Sequence, residues 1–113
     1  MEPIHSPSTV EFDVNVVVGR TETTVFVVGE IDLATCERLR DAIEPHLGPD
    51  QRLVVDLSGV HFMDSTCLNV LLDAHTRLSA DGGSLILRNP SREARIVLSV
   101  ADVAAMFDVE SGS

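Results

Sequence analysis

The sequence predicts a single α/β domain in which a mixed sheet of four to five strands, opening with a hairpin, packs against about three helices. Near the N-terminus, apolar and polar residues alternate with the two-residue period of strands. Two later segments instead repeat apolar residues at three- and four-residue steps, as amphipathic helices do. Strand and helix patterns then alternate along the chain, and this order favours parallel strands joined by right-handed crossovers.

Length and composition fit one domain with an aliphatic core. A chain of 113 residues is too short for two ordinary cores. Hydrophobic residues make up 44% of it and aromatic residues only 4%, so Val, Leu, Ile and Ala must fill the interior. Residues 1–9 contain two prolines and no periodicity. We therefore expect a loose arm over residues 1–9 and the folded domain over residues 10–113.

The first two strands are predicted as a hairpin. In residues 10–18 the apolar side chains at even positions point one way, while Glu11, Asp13 and Asn15 point the other. Residues 19–22 can turn the chain, and residues 23–28 are β-branched or aromatic. Residues 25–28 are apolar on both faces, which predicts a strand covered on both sides. We expect residues 29–32 to break this strand.

The rest of the chain alternates helix and strand patterns. Gly48-Pro49 and Gly82-Gly83 end two helical segments, as expected at helix C-termini. Residues 58–63 are expected to form a loop. The predicted elements are a helix over 33–47, a strand over 52–57, a helix over 65–80, a strand over 84–88, a helix that opens at 89–91 and runs to about 100, and an ambiguous tail in which 106–109 could form a short strand.

The charge of the chain disfavours several classes of partner. The sequence has 18 acidic residues against 8 basic ones, for a net charge of −10. Nucleic-acid phosphates and anionic membranes would be repelled, so neither is expected as a direct partner. No apolar run approaches the roughly 20 residues of a membrane span, and the N-terminus lacks signal-peptide features. Cys36 and Cys67 have no C-x-x-C spacing, which fits a reducing compartment; we expect a cytoplasmic protein.

Ser65 lies where the predicted topology would gather a site. In α/β sheets, sites form beyond the C-terminal ends of the parallel strands, here residues 30–32, 56–58 with the loop to Ser65, and 88–89. Ser65 opens the second helix, where backbone N–H groups are unpaired. Asp64 or Ser65 could simply cap that end. Alternatively, a phosphate on Ser65 would find free N–H groups and would add about −1.5 to −2 charge to an acidic edge.

Other chemistry finds less support in the sequence. A nucleophilic serine would need a base, and the candidates are His61, local to the same loop, and His75, on the apolar stripe of its helix. Asp56 is placed like a receiver-domain phospho-acceptor, but no acidic pair for Mg²⁺ follows the first strand, so we expect it to hydrogen-bond neighbouring loop amides. A metal site from Cys67, His61 and Asp64 lacks recognisable spacing. We expect that the protein is not an enzyme and that it binds neither a metal nor a cofactor.

The two cysteines leave a redox alternative open. Cys36 falls on the apolar stripe of the first helix, where a buried free thiol is the usual role. Cys67 lies in the first turn of the second helix, where the helix dipole could lower its thiol pKa. Because both helices begin at the same edge, a regulatory disulfide is conceivable.

Three segments resemble the STAS domain of bacterial anti-sigma factor antagonists: GEID at 29–32, VVDLSGVHFMDST at 54–66 and GGSLILRNPS at 82–91. The resemblance spans about residues 10–109. It implies a small cytoplasmic binding protein that captures an anti-sigma factor, itself a serine kinase, and thereby frees a sigma factor. The kinase phosphorylates the serine after the family's Met-Asp, which matches Ser65, and this ends the interaction. A metal-dependent serine phosphatase reverses it.

The resemblance, together with the expected edge, assigns the site residues. Phosphorylation is expected at Ser65, and the expected partner contacts are Glu30, Asp32, Asp56, Met63, Asp64, Ser65, Thr66 and Asn69. The family continues Asp-Ser-x-Gly-Leu-Gly, whereas Cys67 and Asn69 stand here in place of the glycines, so we expect a different partner choice. The alternative is a STAS-type module controlled by a small ligand or by the redox state of Cys36 and Cys67.

Overall fold

The computed structural model describes residues 12–100 and 104–111. The predicted α/β class with a mixed sheet and three helices is confirmed. The arm expected over residues 1–9 lies outside the described residues. In chain order the elements are β1 (Asp13–Val18), β2 (Thr23–Ile31), α1 (Leu33–Ile43), β3 (Arg52–Met63), α2 (Leu68–Ala80), β4 (Ser84–Arg88), α3 (Arg92–Val100) and β5 (Asp108–Glu110), with 3₁₀ turns at Glu44–His46, Ser65–Cys67 and Ala104–Met106.

The five strands lie in the sheet in the order of the sequence. β1 and β2 form the predicted antiparallel hairpin, and the N–H of Gly19 donates to the carbonyl of Glu22 at 2.8 Å to close its turn. All later neighbours are parallel. The short strand expected in the tail is present as β5, which pairs with β4.

β2 and β3 are both longer than the sequence pattern predicted. Residues 29–31 continue β2 instead of breaking it, and residues 58–63 continue β3 instead of forming a loop. Gly29 pairs with Val60, and Ile31 pairs with Met63. Two irregularities in the register each place an extra residue in β3, so the alternation that marks a strand is lost there.

Glycines allow the two strands to stay paired through these bulges. Gly29 has a φ of 102°, which side-chain-bearing residues rarely adopt. A Cβ atom on Gly59 would lie 2.9 Å from Cγ2 of Val28, so a larger residue there would push the strands apart. The Ser58-Gly59 dipeptide looks like a turn in the sequence, but it lies in a strand. Gly59 allows this because it has no side chain that would collide with the closely approaching β2.

The helices bury one face of β2 and leave the other partly open. Val25 and Val27 are buried in the same core cluster as Leu39 and Ile43 of α1. On the opposite face Thr24 is buried, but Phe26 is 41% exposed and Val28 is 38% exposed. The expectation that β2 is covered on both sides is therefore wrong. None of the helices in the described part of the chain is long and apolar enough to cross a membrane.

Helix ends depart modestly from the predicted ones. α1 stops at Ile43, and Pro45 lies in a 3₁₀ turn that continues to His46. The second helix starts with the 3₁₀ turn Ser65–Cys67 and becomes α-helical at Leu68. α1 packs against β1 and β2, α2 against β4 and α3 against β3. Because β2 and β3 both continue past the end of β4, they carry the starts of α1 and α2 to a common edge.

Candidate functional site

Ser65 is exposed at the first position of the 3₁₀ turn that leads into α2. Asp64 caps this turn, because its carboxylate accepts hydrogen bonds from the N–H of Thr66 at 2.9 Å and from the Thr66 hydroxyl at 2.8 Å. Within residues 12–100 and 104–111, no side-chain hydrogen bond engages the Ser65 hydroxyl. Capping therefore belongs to Asp64, and it does not explain the serine.

The end of β2 lies directly beside this turn. The N–H of Asp64 donates to the carbonyl of Ile31 at 2.8 Å. One residue further, Asp32 caps α1: its carboxylate accepts from the N–H of Thr35 at 2.9 Å, and the N–H of Asp32 donates to the Thr35 hydroxyl at 2.9 Å. Two helix starts, each capped by an aspartate, thus stand side by side next to Ser65.

Both capping carboxylates are ionised at neutral pH. The backbone N–H and hydroxyl of Thr35 lower the pKa of Asp32, and the corresponding groups of Thr66 lower the pKa of Asp64. No ion pair involving either carboxylate is found among the described residues. Negative charge at this edge is therefore available to an external partner. We call this surface the Ser65 rim, and it consists of Glu30, Asp32, Asp64, Ser65, Thr66 and Asn69.

The predicted site residues differ in accessibility. On the Ser65 rim, Asp32 and Asp64 are half-buried and the other four are exposed. Met63 is only 2% exposed and points into the core cluster. Asp56 is 7% exposed, and its carboxylate accepts from the N–H of Ser58 at 2.9 Å and from the Ser58 hydroxyl at 2.6 Å. The expected hydrogen bond between Asp56 and a neighbouring backbone amide is confirmed, and that amide lies in β3 instead of a loop.

The predicted end of the third strand was placed too early. Asp56 lies inside β3, opposite Arg88 at the end of β4. Met63 lies seven positions after Asp56 in β3, which is roughly 20 Å of strand at about 3.3 Å per residue. The expectation that all three strand ends meet at one edge is therefore wrong. β2 and β3 end together beside Ser65, while β4 ends level with the middle of β3.

An apolar groove adjoins Ser65, and sequence reasoning did not identify it. It has a volume of about 280 Å³ and is lined by Ser65 together with Ile96, Val97 and Val100 of α3. Ile96 is 50% exposed and Val100 is 81% exposed. The sequence does contain a pattern that could have revealed this groove: α3 has apolar residues at positions 96 and 100 in addition to the stripe that it buries. We call this feature the Ser65 groove.

The two cysteines converge on one carbonyl oxygen. The carbonyl of Asp32 accepts from the N–H of Cys36 at 2.8 Å and from the thiol of Cys67 at 3.4 Å. Both thiols are free. Burial, followed by a hydrogen bond with the Cys36 thiol, raises the pKa of Cys67 to about 12. The expected lowering by a helix dipole is wrong, because burial dominates and little thiolate forms at neutral pH.

Neither histidine is arranged as a base for Ser65. His75 packs edge-on against Phe107, with ring centroids 5.6 Å apart, and its buried Nδ1 atom has no hydrogen-bond partner among the described residues. His61 is exposed within β3. No hydrogen bond joins either ring to the serine in the described part of the chain, and no cluster of three or more metal-binding side chains occurs there.

Comparison with known proteins gives a consistent result. Residues 15–108 match the profile of the family described as "Mlab, STAS domain". An anti-sigma-B factor antagonist of Bacillus subtilis is 28% identical over 101 residues, which is 89% of this chain and 93% of the relative. A STAS-domain containing protein of Pseudomonas aeruginosa is 28% identical over 88 residues, or 78% of this chain and 87% of the relative.

Solved structures show the same fold. The crystal structure of an anti-sigma factor antagonist from Mycobacterium paratuberculosis matches with a TM-score of 0.76 and 25% identity, covering 95% of this chain and 90% of that one. SpoIIAA, an anti-sigma factor antagonist from Bacillus, matches at 24% identity over 91% of this chain. The TM-score is 0.74 for its unphosphorylated form and 0.69 for its phosphorylated form, over 89% and 92% of those chains.

Proposed function

Because the chain belongs to the STAS domain family, as its sequence resemblance predicted, we propose that it is an anti-sigma factor antagonist. In this proposal it is a cytoplasmic, non-enzymatic protein that binds an anti-sigma factor and thereby frees a sigma factor. The observation that carries the proposal is the exposed hydroxyl of Ser65, which no side-chain hydrogen bond holds in the described structure and which stands beside two ionised carboxylates.

Phosphorylation of Ser65 is the proposed off-switch. Asp64 already caps the turn, and no side-chain hydrogen bond to the Ser65 hydroxyl is found among the described residues, so phosphorylation of that hydroxyl is expected to leave the fold intact. The phosphate adds about −1.5 to −2 charge next to Asp32 and Asp64. A coupling of about 1–3 kcal/mol between phosphate and partner would change affinity about 5- to 150-fold. The existence of a phosphorylated form of SpoIIAA supports this mode of control.

The Ser65 rim is the proposed partner-binding surface. Its charge favours a partner with an Arg- or Lys-rich patch, for which the expected candidate is an anti-sigma factor with serine-kinase activity. A serine phosphatase would restore the free hydroxyl. Met63 is buried beneath the rim, and Asp56 is buried farther back along β3, so in this proposal neither contacts the partner. Asn69 is exposed, and its side chain is expected to influence which partner is accepted.

The proposal is tested by incubating the protein with the anti-sigma factor kinase of the source organism and ATP. One phosphate is expected, on Ser65, and the modified protein should lose affinity for that kinase in calorimetry. Thr66→Ala serves as a control, because it keeps Ser65 and should still be labelled. Mass spectrometry that places the label on Thr66 or Ser58, or finds none, would contradict the proposal.

The alternative control by thiol redox or by a small ligand remains a prediction without a supporting observation. Cys36 and Cys67 lie close together, but the raised pKa of Cys67 disfavours its attack on an oxidant at neutral pH. Peptide mapping under non-reducing conditions after mild oxidation would test it. A Cys36–Cys67 bridge together with altered partner binding would favour the alternative.

A further inference from the structure

We propose that the Ser65 groove receives an apolar side chain from the anti-sigma factor, next to a basic side chain that contacts the Ser65 rim. This inference rests on the proposed function and specifies the partner's chemistry. It also gives the phosphate a second effect, because a phosphate on Ser65 would stand at the wall of the groove.

The exposed apolar side chains of α3 are the first observation. α3 buries Ala94 and Leu98 completely or nearly so, which satisfies its contact with β3. Ile96 and Val100 are one helical turn apart on a different stripe and stay exposed in the groove. They are therefore not needed for the packing of α3. Covering them with an apolar side chain would remove their surface from water, which favours binding.

The charges around the groove identify the occupant. Asp32 and Asp64 lie on the same rim as Ser65, are ionised, and have no ion pair among the described residues. Arg92 and Arg95, on the first turn of α3, also form no ion pair with them there. A partner segment that carries an apolar residue beside an arginine or lysine would satisfy groove and rim together. A second copy of this chain would instead bring acidic residues against the same acidic rim.

A phosphate on Ser65 would obstruct this arrangement in a specific way. Ser65 lines the groove itself, so the phosphate oxygens would stand at its wall. An apolar side chain that entered would strip water from the phosphate without offering hydrogen bonds in return, which is costly. Phosphorylation would thus make the Ser65 groove unfavourable for an apolar side chain. It would also increase the affinity of the Ser65 rim for cations. The groove explains why added negative charge weakens binding to a basic partner.

The experiment uses substitutions that replace a β-branched apolar side chain by the β-branched polar Thr and leave the net charge unchanged. The double variant Ile96→Thr/Val100→Thr is titrated against each purified anti-sigma factor of the source organism, alongside wild type and the control Val18→Thr. Val18 is 68% exposed and lies next to the hairpin turn, at the far end of β2 from the rim. We expect the double variant to bind about 10-fold more weakly and the control to match wild type.

The outcomes separate the two proposals. If wild type binds, Ser65→Asp binds weakly and the double variant binds like wild type, the groove is not used and the inference is overturned while the proposed function stands. If wild type binds no anti-sigma factor, the proposed function fails first. If sedimentation shows that wild type dimerises and the double variant does not, a second copy occupies the groove and the inference is again overturned. Val100→Thr alone, at an 81% exposed position, replaces the double variant if that fails to fold.

Discussion

Two regions of the sheet handle charge in opposite ways. At the Ser65 rim, two ionised carboxylates have no cationic partner among the described residues. By contrast, four charged side chains form a closed ring that joins the residue before β2 and the start of β3 to the ends of β4 and β5. Each of its arginines contacts both of its glutamates, at N···O distances from 2.9 to 3.9 Å. We call this the ion-pair ring, and its members are Glu22, Arg52, Arg88 and Glu110.

The difference separates charges that hold the fold from charges that remain available to a partner. The ring ties the short strand β5 to β4 through Arg88 and Glu110, and it ties both to the start of β2 through Glu22. The rim carboxylates instead cap the starts of two helical segments and face outward. Substitutions in the ring should therefore change stability, whereas charge changes on the rim should change binding.

The largest expected effect is on binding, at Ser65. Ser65→Asp should weaken the anti-sigma factor complex about 5- to 150-fold, because it places a charge where the phosphate would stand. Ser65→Ala should bind nearly as tightly as wild type. Thr21→Asp, which adds the same charge in the hairpin turn, is the matched control and should leave affinity unchanged. Equal affinities of Ser65→Asp and Ser65→Ala in calorimetry would count against a switch at this position.

The next effect is on stability, in the ion-pair ring. Arg88→Met keeps most of the apolar stem but removes contacts to Glu22 and Glu110, and it should lower the free energy of unfolding by about 1 kcal/mol. Arg20→Met removes the same charge from an exposed turn, where no ion pair is found among the described residues. Urea unfolding should distinguish the two variants. Equal midpoints would mean that the ring contributes nothing to stability.

The ring also predicts a pH dependence. The pKa of Glu22 lies below its ordinary value of 4.5, chiefly because Arg52 donates a hydrogen bond to its carboxylate. A lowered folded pKa means that this stabilisation is fully present above about pH 4.5 and is lost as the pH falls through the folded pKa. Glu22→Gln should be less stable than wild type at pH 7 by about 0.5 kcal/mol, and the difference should shrink under acidic conditions. Urea midpoints measured from pH 7 down to the acid transition check this, and a constant difference would contradict it.

The sequence was sufficient for the fold class, the order of elements and the position of Ser65. These features follow from local periodicity and from turn residues, which one segment carries by itself. β4 matched its predicted bounds because a short apolar run, Leu85–Leu87, lies between the turn residues Gly82-Gly83 and Asn89-Pro90. The predicted helix start was right to within the 3₁₀ turn that Asp64 caps.

What the sequence could not supply depends on contacts between distant segments. The extension of β3 to Met63 depends on its pairing with β2 through two bulges, and bulges erase the alternation by which strands are recognised. The groove depends on α3 lying against Ser65, some 30 residues away in the chain. The thiol pKa of Cys67 depends on burial, which overrode the local helix-start argument.

The smallest expected effect contrasts the same chemical change in the two regions. Glu30 is exposed on the Ser65 rim, and no ion pair involving it is found in the described part of the chain. Glu30→Gln should therefore leave the unfolding midpoint unchanged but slow association with the anti-sigma factor about 2-fold at low salt, because one steering charge is lost. Glu110→Gln removes one charge from the ring and should do the reverse, lowering stability while association stays the same. Stopped-flow association rates at two salt concentrations test the pair. Because screening suppresses steering, the effect of Glu30→Gln should disappear at high salt, and a slowing that persists there would mean that Glu30 makes a direct contact.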